Sequence, residues 1–310
     1  MTERPPVRES ESVDVRMNTA THRLRGGQIA PGEQGGDGRR VGFSLVEVLI
    51  VMVVCVLLLA LVVPVLQSAK EQARTLVCKG HVRTFGTALA AYAYDHEHFP
   101  HGLLLMSDCH GRPPDGFAGN AVYDWQGWWW FDFAVDYLSV SRNEAAKLVR
   151  CPSHRLAGGR FSKDYLWGNY GINQSVARMS MDDRALGFVG RPLRPEQVEH
   201  ADLTLLLVDS GYALISWRAV AGPDDCLFHN ARRADAYYLP GLSTNKDRTF
   251  GPDYERDALL GRHPHRTVNA GFVDGHVERR GADSLGISPT EDGGYVNRYP
   301  LWVPRKDPQD

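Results

Sequence analysis

Four side chains near the C-terminus carry the chemistry of a metal-ion site. His263, His265, Asp274 and His276 offer three imidazoles and a carboxylate, a donor set suited to a transition metal. The same stretch also has an ordinary reading. Val268 to Val273 is followed by Asp274-Gly275 and then by His276 to Arg279. Two short runs joined by Asp-Gly are a hairpin signature, and the pair suits the positive φ angles of a two-residue type I′ turn. Apart from such a structural metal, no cofactor is expected. Nucleophilic catalysis has less behind it. Ser210-Gly211 lacks the pair of glycines that brackets the serine of a nucleophile elbow, and no triad assembles around it, so the chain is expected not to be an enzyme. Trp125-Gln126-Gly127-Trp128-Trp129-Trp130-Phe131 could stack on sugar rings, which would suit a membrane-anchored glycan-binding protein or adhesin. Core packing is the commoner use of such aromatics, because each buries a large area.

Cysteine usage leaves several chemistries open. Of the five cysteines, Cys55 lies in an apolar run, while Cys78, Cys109, Cys151 and Cys226 lie outside it. In an exported domain those four could form two disulfides, in three possible connectivities, or stay as buried thiols. No Cys-x-x-Cys pair occurs, so a zinc ribbon or a thioredoxin-like motif is unsupported. A net charge of −2 gives no global field for nucleic acid, which is not expected as a partner. With 43% hydrophobic and 23% charged residues, the part outside the apolar run has the composition of an ordinary folded domain.

The elements that must position these residues begin with the apolar run itself. Phe43 to Leu66 is 24 residues long with Glu47 as its only formal charge, enough for a helix to cross a bilayer, which takes roughly 20. An acid within such a run costs on the order of 3 kcal/mol, so Glu47 is expected to have a partner. Before the run, Met1 to Val41 shows no apolar periodicity and ends near Arg39-Arg40; it reads as a leader, with the arginines favouring a cytoplasmic N-terminus. After the run, Phe85, Ala88, Leu89 and Tyr92 recur at i, i+3, i+4, i+7, one face of an amphipathic helix. Phe99-Pro100 closes it, because a residue before proline is biased away from helix. The spacing thus predicts one helix from Ser44 to about Glu97. Leu203–Val208 and Ala213–Trp217 read as strands around the Asp209-Ser210-Gly211 turn, whereas Gly102 to Ala201 looks loop-rich.

Gly42-Phe43-Ser44-Leu45-Val46-Glu47 resembles the type IV prepilin signal of pilins and of type II secretion pseudopilins. In that family a glycine precedes the scissile bond, a phenylalanine becomes the new N-terminus, and a glutamate stands fifth in the mature chain. Gly42, Phe43 and Glu47 fill those positions, and Pro64 falls where these proteins often kink the helix. Cys78, Arg150-Cys151-Pro152-Ser153 and Tyr170-Gly171-Ile172-Asn173 resemble blocks of a pseudopilin-like group common in planctomycetes. His263-Pro264-His265 followed by Asp274-Gly275 resembles that group's C-terminal processing-associated motif, although neither histidine has the usual nine-residue spacing.

The resemblance implies an α+β fold, with one long N-terminal helix, transmembrane in its first half, packed on a C-terminal antiparallel sheet. It divides the chain into a cytoplasmic leader (1–42), a membrane or filament-core helix (43–66), an amphipathic continuation (67–99) and an exported domain (100–310). It implies a structural subunit of a type II secretion-like or type IV pilus-like filament, held in the inner membrane by a single pass with its C-terminal domain outside. A prepilin peptidase would cleave after Gly42 and methylate Phe43. The further partners would be other pilin or pseudopilin subunits, the inner-membrane assembly platform and membrane lipid. Some major pseudopilins bind calcium near the C-terminus, which makes Asp283, Glu291 and Asp292 further candidates.

Overall fold

A computed structural model describes residues 42, 44–105, 107–108, 127–153, 166, 169–180, 188–221, 227–229, 236–238 and 261–306. Residues 1–41 of the expected leader, Phe43, Cys109, Trp125 and Cys226 lie outside the described residues. The chain divides into two units, Met1–Cys55 and Val56–Asp310.

In the first unit the described residues are the start of α1 (Leu45–His96) and its approach. Ser44 sets the helix going. Its Oγ accepts from the Val46 N–H at 3.3 Å, and its own N–H donates to Glu47 Oε2 at 2.8 Å. Glu47 at N3 thus supplies the returning half of a capping box while the Ser44 hydroxyl caps the N2 N–H, so side chains satisfy backbone donors that the first turn leaves unpaired. Leu45 to Val54 are apolar apart from Glu47, and their large side chains are exposed.

In the second unit α1 continues with exposed apolar side chains from Val56 to Leu66, Pro64 lying inside the helix. From Thr75 its character changes. Thr75, Cys78, Val82, Phe85, Gly86, Ala88, Leu89, Tyr92 and Ala93 are buried, forming one stripe at helical spacing. Leu76 and Val77, on the other side, stay exposed. The helix ends at His96, where Glu97 turns left-handed at φ 61°.

A small hairpin follows, β1 (Leu103–Leu105) pairing with β2 (Gly127–Trp129), Leu105 opposite Gly127. Gly127 has φ 141°, and a Cβ there would sit 2.0 Å from the Leu104 carbonyl oxygen, so only glycine fits. Trp129, Trp130 and Phe131 are wholly buried. Trp130 meets Phe85 edge-on at 5.3 Å, and its Nε1–H donates to the Ala213 carbonyl at 2.9 Å. These indole faces are core and not available to sugars; Trp128 is half-buried.

The main sheet comprises β3 (Tyr170–Asn173), β4 (Leu205–Asp209), β5 (Leu214–Ile215), β8 (Thr267–Phe272) and β9 (Val277–Gly281), in the order β5-β3-β4-β8-β9. Between β5 and β8 in sequence lies a separate antiparallel pair, β6 (Leu227–His229) with β7 (Ala236–Tyr238), and β10 (Ser288–Pro289) pairs with β11 (Tyr295–Val296) near the end. The sheet is antiparallel except at β3 and β5, which run parallel. This corrects two expectations. A strand from the stretch before Asp202, expected to be loop-rich, enters the sheet, and it lies between the two strands expected to flank a single turn. All five residues of β4 are buried, as expected of a strand covered on both faces.

Two apolar clusters cover those faces. One joins Cys78, Val82, Phe85 and Leu89 of α1 to Trp129, Trp130, Tyr170, Ile172 and Leu207. The other gathers Leu205, Val208, Val268, Ala270, Phe272, Trp217 and Trp302. Along β8 the residues alternate between them. Val268, Ala270 and Phe272 belong to the second cluster, whereas Asn269 donates to the Thr75 carbonyl of α1. A Cβ on Gly271 would come within 2.9 Å of Val82 Cγ1, so glycine there lets the helix lie close on the sheet.

The turn between β8 and β9 differs from the expected type I′. Gly271 pairs with Val277, and Phe272 N donates to the His276 carbonyl, which leaves Val273, Asp274 and Gly275 as the loop. Only Gly275 takes a positive φ, 92°. A three-residue connection closed by one left-handed glycine replaces the two-residue turn, in which both central residues would need φ above zero.

Candidate functional site

The densest polar chemistry lies inside the second unit, where four elements bring Cys78, Cys151, Asp209 and His263 together. Cys78 comes from the buried stripe of α1. Cys151 follows the short helix Arg142–Leu148 and is held by its N–H, which donates to Asn169 Oδ1 at 3.0 Å. Asp209 is the last residue of β4. His263 precedes β8, where it bridges to Thr267 across a tight turn in which His265 and Arg266 are both left-handed, at φ 62° and 55°. One ligand atom from each of the four lies within 4.8 Å of all the others, and all four residues are buried.

Within the cluster the sulfurs of Cys78 and Cys151 stand 3.5 Å apart, and both cysteines are free. The Cys78 thiol donates to Asp209 Oδ1 at 2.9 Å, while Asp209 Oδ2 accepts from the Asn269 N–H at 2.6 Å. His263 Nε2 approaches the same Oδ2 to 3.0 Å. That contact is close enough for an ion pair but not aligned as a hydrogen bond, and neither ring nitrogen of His263 has a hydrogen-bond partner among the described residues. Arg262 is buried beside them, donating to the carbonyls of Asn169 and Ser210. The Tyr170 hydroxyl reaches Cys78 Sγ at 3.4 Å and His81 Nδ1 at 3.2 Å.

These neighbours set the charge states. Burial pushes the Cys78 thiol well up, and Cys151 and Asp209 push it the same way. Burial also works against a Cys151 thiolate, yet the Cys78 thiol, Arg262 and His263 outweigh it and hold its pKa well below the usual thiol range. Asp209 follows the same pattern: burial raises its pKa, and His263, Arg262 and Cys78 bring it below the ordinary value. Burial disfavours charge on His263 too, but the Asp209 carboxylate and Cys151 raise its pKa to about 9. The cluster is thus arranged to hold anionic sulfur and carboxylate deep in the core, where unpaired charge is costly.

Of the four residues expected to form a metal set, only His263 enters this cluster. Asp274 sits in the β8–β9 loop and His276 closes it, the two 2.6 Å apart and half-exposed, with the His276 ring stacked on Phe272 at 4.3 Å. His265 lies in the turn before β8. Among the calcium candidates, Asp283 pairs with Arg266 at 3.1 Å, and Glu291 and Asp292 lie in the turn between β10 and β11. Cys78 and Cys151 meet as the spine of the cluster, whereas Asp274 and Gly275 remain hairpin residues. No local spacing links the four residues of the cluster; the outward sign of it is Asp209, a carboxylate closing an otherwise apolar buried strand.

A second candidate site lies at the start of α1. Gly42 and Ser44 are exposed there, and Glu47 is engaged with Ser44 across the first helical turn. The partner expected for Glu47 is therefore met in part by its own helix. The signal was present in the sequence as Ser-x-x-Glu.

No family model and no solved structure matches the chain. A stretch of 59 residues is 39% identical to the type II secretion system core protein G of Pseudomonas aeruginosa, covering 19% of this chain and 42% of that protein. The match thus spans less than half the length of that relative. The chain is similar over this stretch to a secretion-system core protein, and a long N-terminal helix laid on an antiparallel-rich sheet is a pilin-like architecture.

Proposed function

We propose that this chain is a structural subunit of a type II secretion-like filament, processed as a prepilin and assembled from the membrane. The observation that carries this reading is the division of one helix into two surfaces. From Leu45 to Leu66 its large apolar side chains are exposed, and from Thr75 to Ala93 a stripe is buried against a folded domain. A soluble protein rarely exposes so much contiguous apolar surface. Lipid before assembly, and neighbouring subunits after it, would cover that surface. The chain acts by assembly and turns over no substrate. Its partners are a prepilin peptidase, which cuts between Gly42 and Phe43 and methylates Phe43, other subunits of the filament and an inner-membrane assembly platform. The short similarity to the type II core protein G favours a secretion system over a pilus.

Glu47 has two uses in this scheme, and one substitution separates them. Its carboxylate caps its own helix, and in a filament it would pair with the Phe43 amine of a neighbouring subunit, fixing axial register. Glutamine at the same position can still reach back to the Ser44 N–H, because the capping box accepts Glu or Gln, but it carries no charge for the amine. Glu47→Gln is therefore expected to insert into the membrane normally and to lose filament assembly, read as the yield of cross-linked multimers in intact cells. Wild-type assembly by Glu47→Gln would reduce Glu47 to a helix cap.

A further inference from the structure

We propose that Cys78, Cys151, Asp209 and His263 form a closed tetrahedral zinc site that ties α1 to the sheet. The site lies wholly within the exported domain and stands independently of whether the chain builds a filament.

The donor set is two thiolates, an imidazole and a carboxylate, the ligands zinc takes in proteins. In a tetrahedral shell with Zn–S near 2.3 Å and Zn–N or Zn–O near 2.0 Å, ligand atoms stand roughly 3.3–3.8 Å apart. The observed separations are 3.5 Å between the sulfurs, 2.9 Å from Cys78 Sγ to Asp209 Oδ1 and 3.0 Å from His263 Nε2 to Asp209 Oδ2. The sulfurs already stand at the spacing of two ligands on one ion, and one ligand atom from each of the four residues lies within 4.8 Å of all the others, so small shifts of the carboxylate and imidazole would close the shell. A disulfide would need the sulfurs at about 2.05 Å.

Two further observations point to a cation. His263 has a wholly buried side chain aimed into the cluster, with no hydrogen-bond partner among the described residues for either ring nitrogen. Buried polar atoms of that kind are nearly always satisfied, and coordination would satisfy one of them. Charge balance is the other. Two thiolates and Asp209 carry three negative charges, and a divalent cation with the buried Arg262 guanidinium matches them. Zinc binding would release the cysteine protons to solvent, as thiolate coordination does.

The surroundings fit a structural ion. All four positions of the shell are filled by protein and all four ligands are buried, so no position is left open for water or substrate. The outer contacts are those that orient metal ligands: Cys151 N–H on Asn169 Oδ1, Asn269 N–H on Asp209 Oδ2 and the Tyr170 hydroxyl on Cys78 Sγ. The four ligands come from α1, the segment after the Arg142–Leu148 helix, the end of β4 and the lead into β8. One ion would join elements far apart in sequence, and its binding would add directly to folding stability.

The test uses the full chain purified in detergent without chelator. Elemental analysis is expected to find one zinc per chain, and exchange with Co2+ is expected to give the intense visible bands and thiolate charge-transfer absorption of a tetrahedral sulfur-ligated site. A Cys78→Ser/Cys151→Ser variant is expected to lose that equivalent, and Cys55→Ser to keep it. Should the double variant not fold, chelation of the wild-type chain serves instead; it is expected to lower the melting temperature and make Cys78 and Cys151 reactive to maleimide, with Zn2+ alone reversing both. A wild-type chain that takes up no zinc would overturn the proposal, whether its thiols are free or an intact mass two hydrogens lower and a Cys78–Cys151 cross-linked peptide show a disulfide.

Discussion

Asp209→Ala is expected to cost the exported domain about 3–5 kcal/mol, the range for removing one partner from a buried charged pair. The carboxylate is completely buried and accepts from the Asn269 N–H and the Cys78 thiol, with His263 Nε2 at 3.0 Å. Its loss strands a backbone donor on β8 and leaves the positive charge of Arg262 and His263 without its nearest carboxylate in a region that water does not reach. Single domains are stable by only about 5–15 kcal/mol, so much of the margin would go. Asp283→Ala is the comparison. Asp283 also pairs with an arginine, Arg266, but both side chains are more than half exposed, and surface pairs contribute about 0–1 kcal/mol. Denaturant unfolding of the two variants should separate them widely. Equal costs would mean that the cluster does not hold the sheet and helix together.

Trp130→Ala should be nearly as damaging, at about 3–5 kcal/mol, the usual cost of truncating a large core aromatic. Trp130 has no exposed surface, packs edge-on against Phe85 of α1 and donates its indole N–H to the Ala213 carbonyl. Its removal opens a cavity between helix and sheet and orphans an acceptor beside β5. For a domain of this size, a shift on the order of 10 °C in melting temperature corresponds to that loss. Trp130→Phe keeps most of the ring and should cost less. Trp128→Ala, two residues earlier on a half-buried side chain, should cost well under half as much as Trp130→Ala. A larger loss from Trp128 would contradict the packing described, and would reopen an exposed role for the aromatic cluster.

Much of this architecture is legible in the sequence because its signals are local. The apolar run and the Phe85, Ala88, Leu89, Tyr92 spacing delimit α1 to within a residue at each end, since a helix writes its buried face at a period of 3.6. Asp274-Gly275 marks a hairpin for the same reason, though the turn type depends on which residues carry positive φ, and only Gly275 does. The rest is written at long range. Tyr170–Asn173 shows no alternation because all four residues are buried, so its place between β4 and β5 could not be read from pattern. The buried cluster draws single residues from positions 78, 151, 209 and 263. No spacing rule links them; only folding brings the two cysteine blocks, the strand-ending aspartate and one of the paired histidines to one point. The Ser44–Glu47 cap was local and readable, but an acid in an apolar run draws attention to distant partners before near ones.

The central claim, that this chain is a processed pilin-like subunit, is tested most directly at its N-terminus. Intact mass and N-terminal peptide mass spectrometry would be applied to protein recovered from membranes of cells that contain a prepilin peptidase. The predicted result is a chain that begins at N-methylated Phe43. A chain with the Gly42–Phe43 bond intact, or one cut after Leu66, would contradict processing and assembly as proposed.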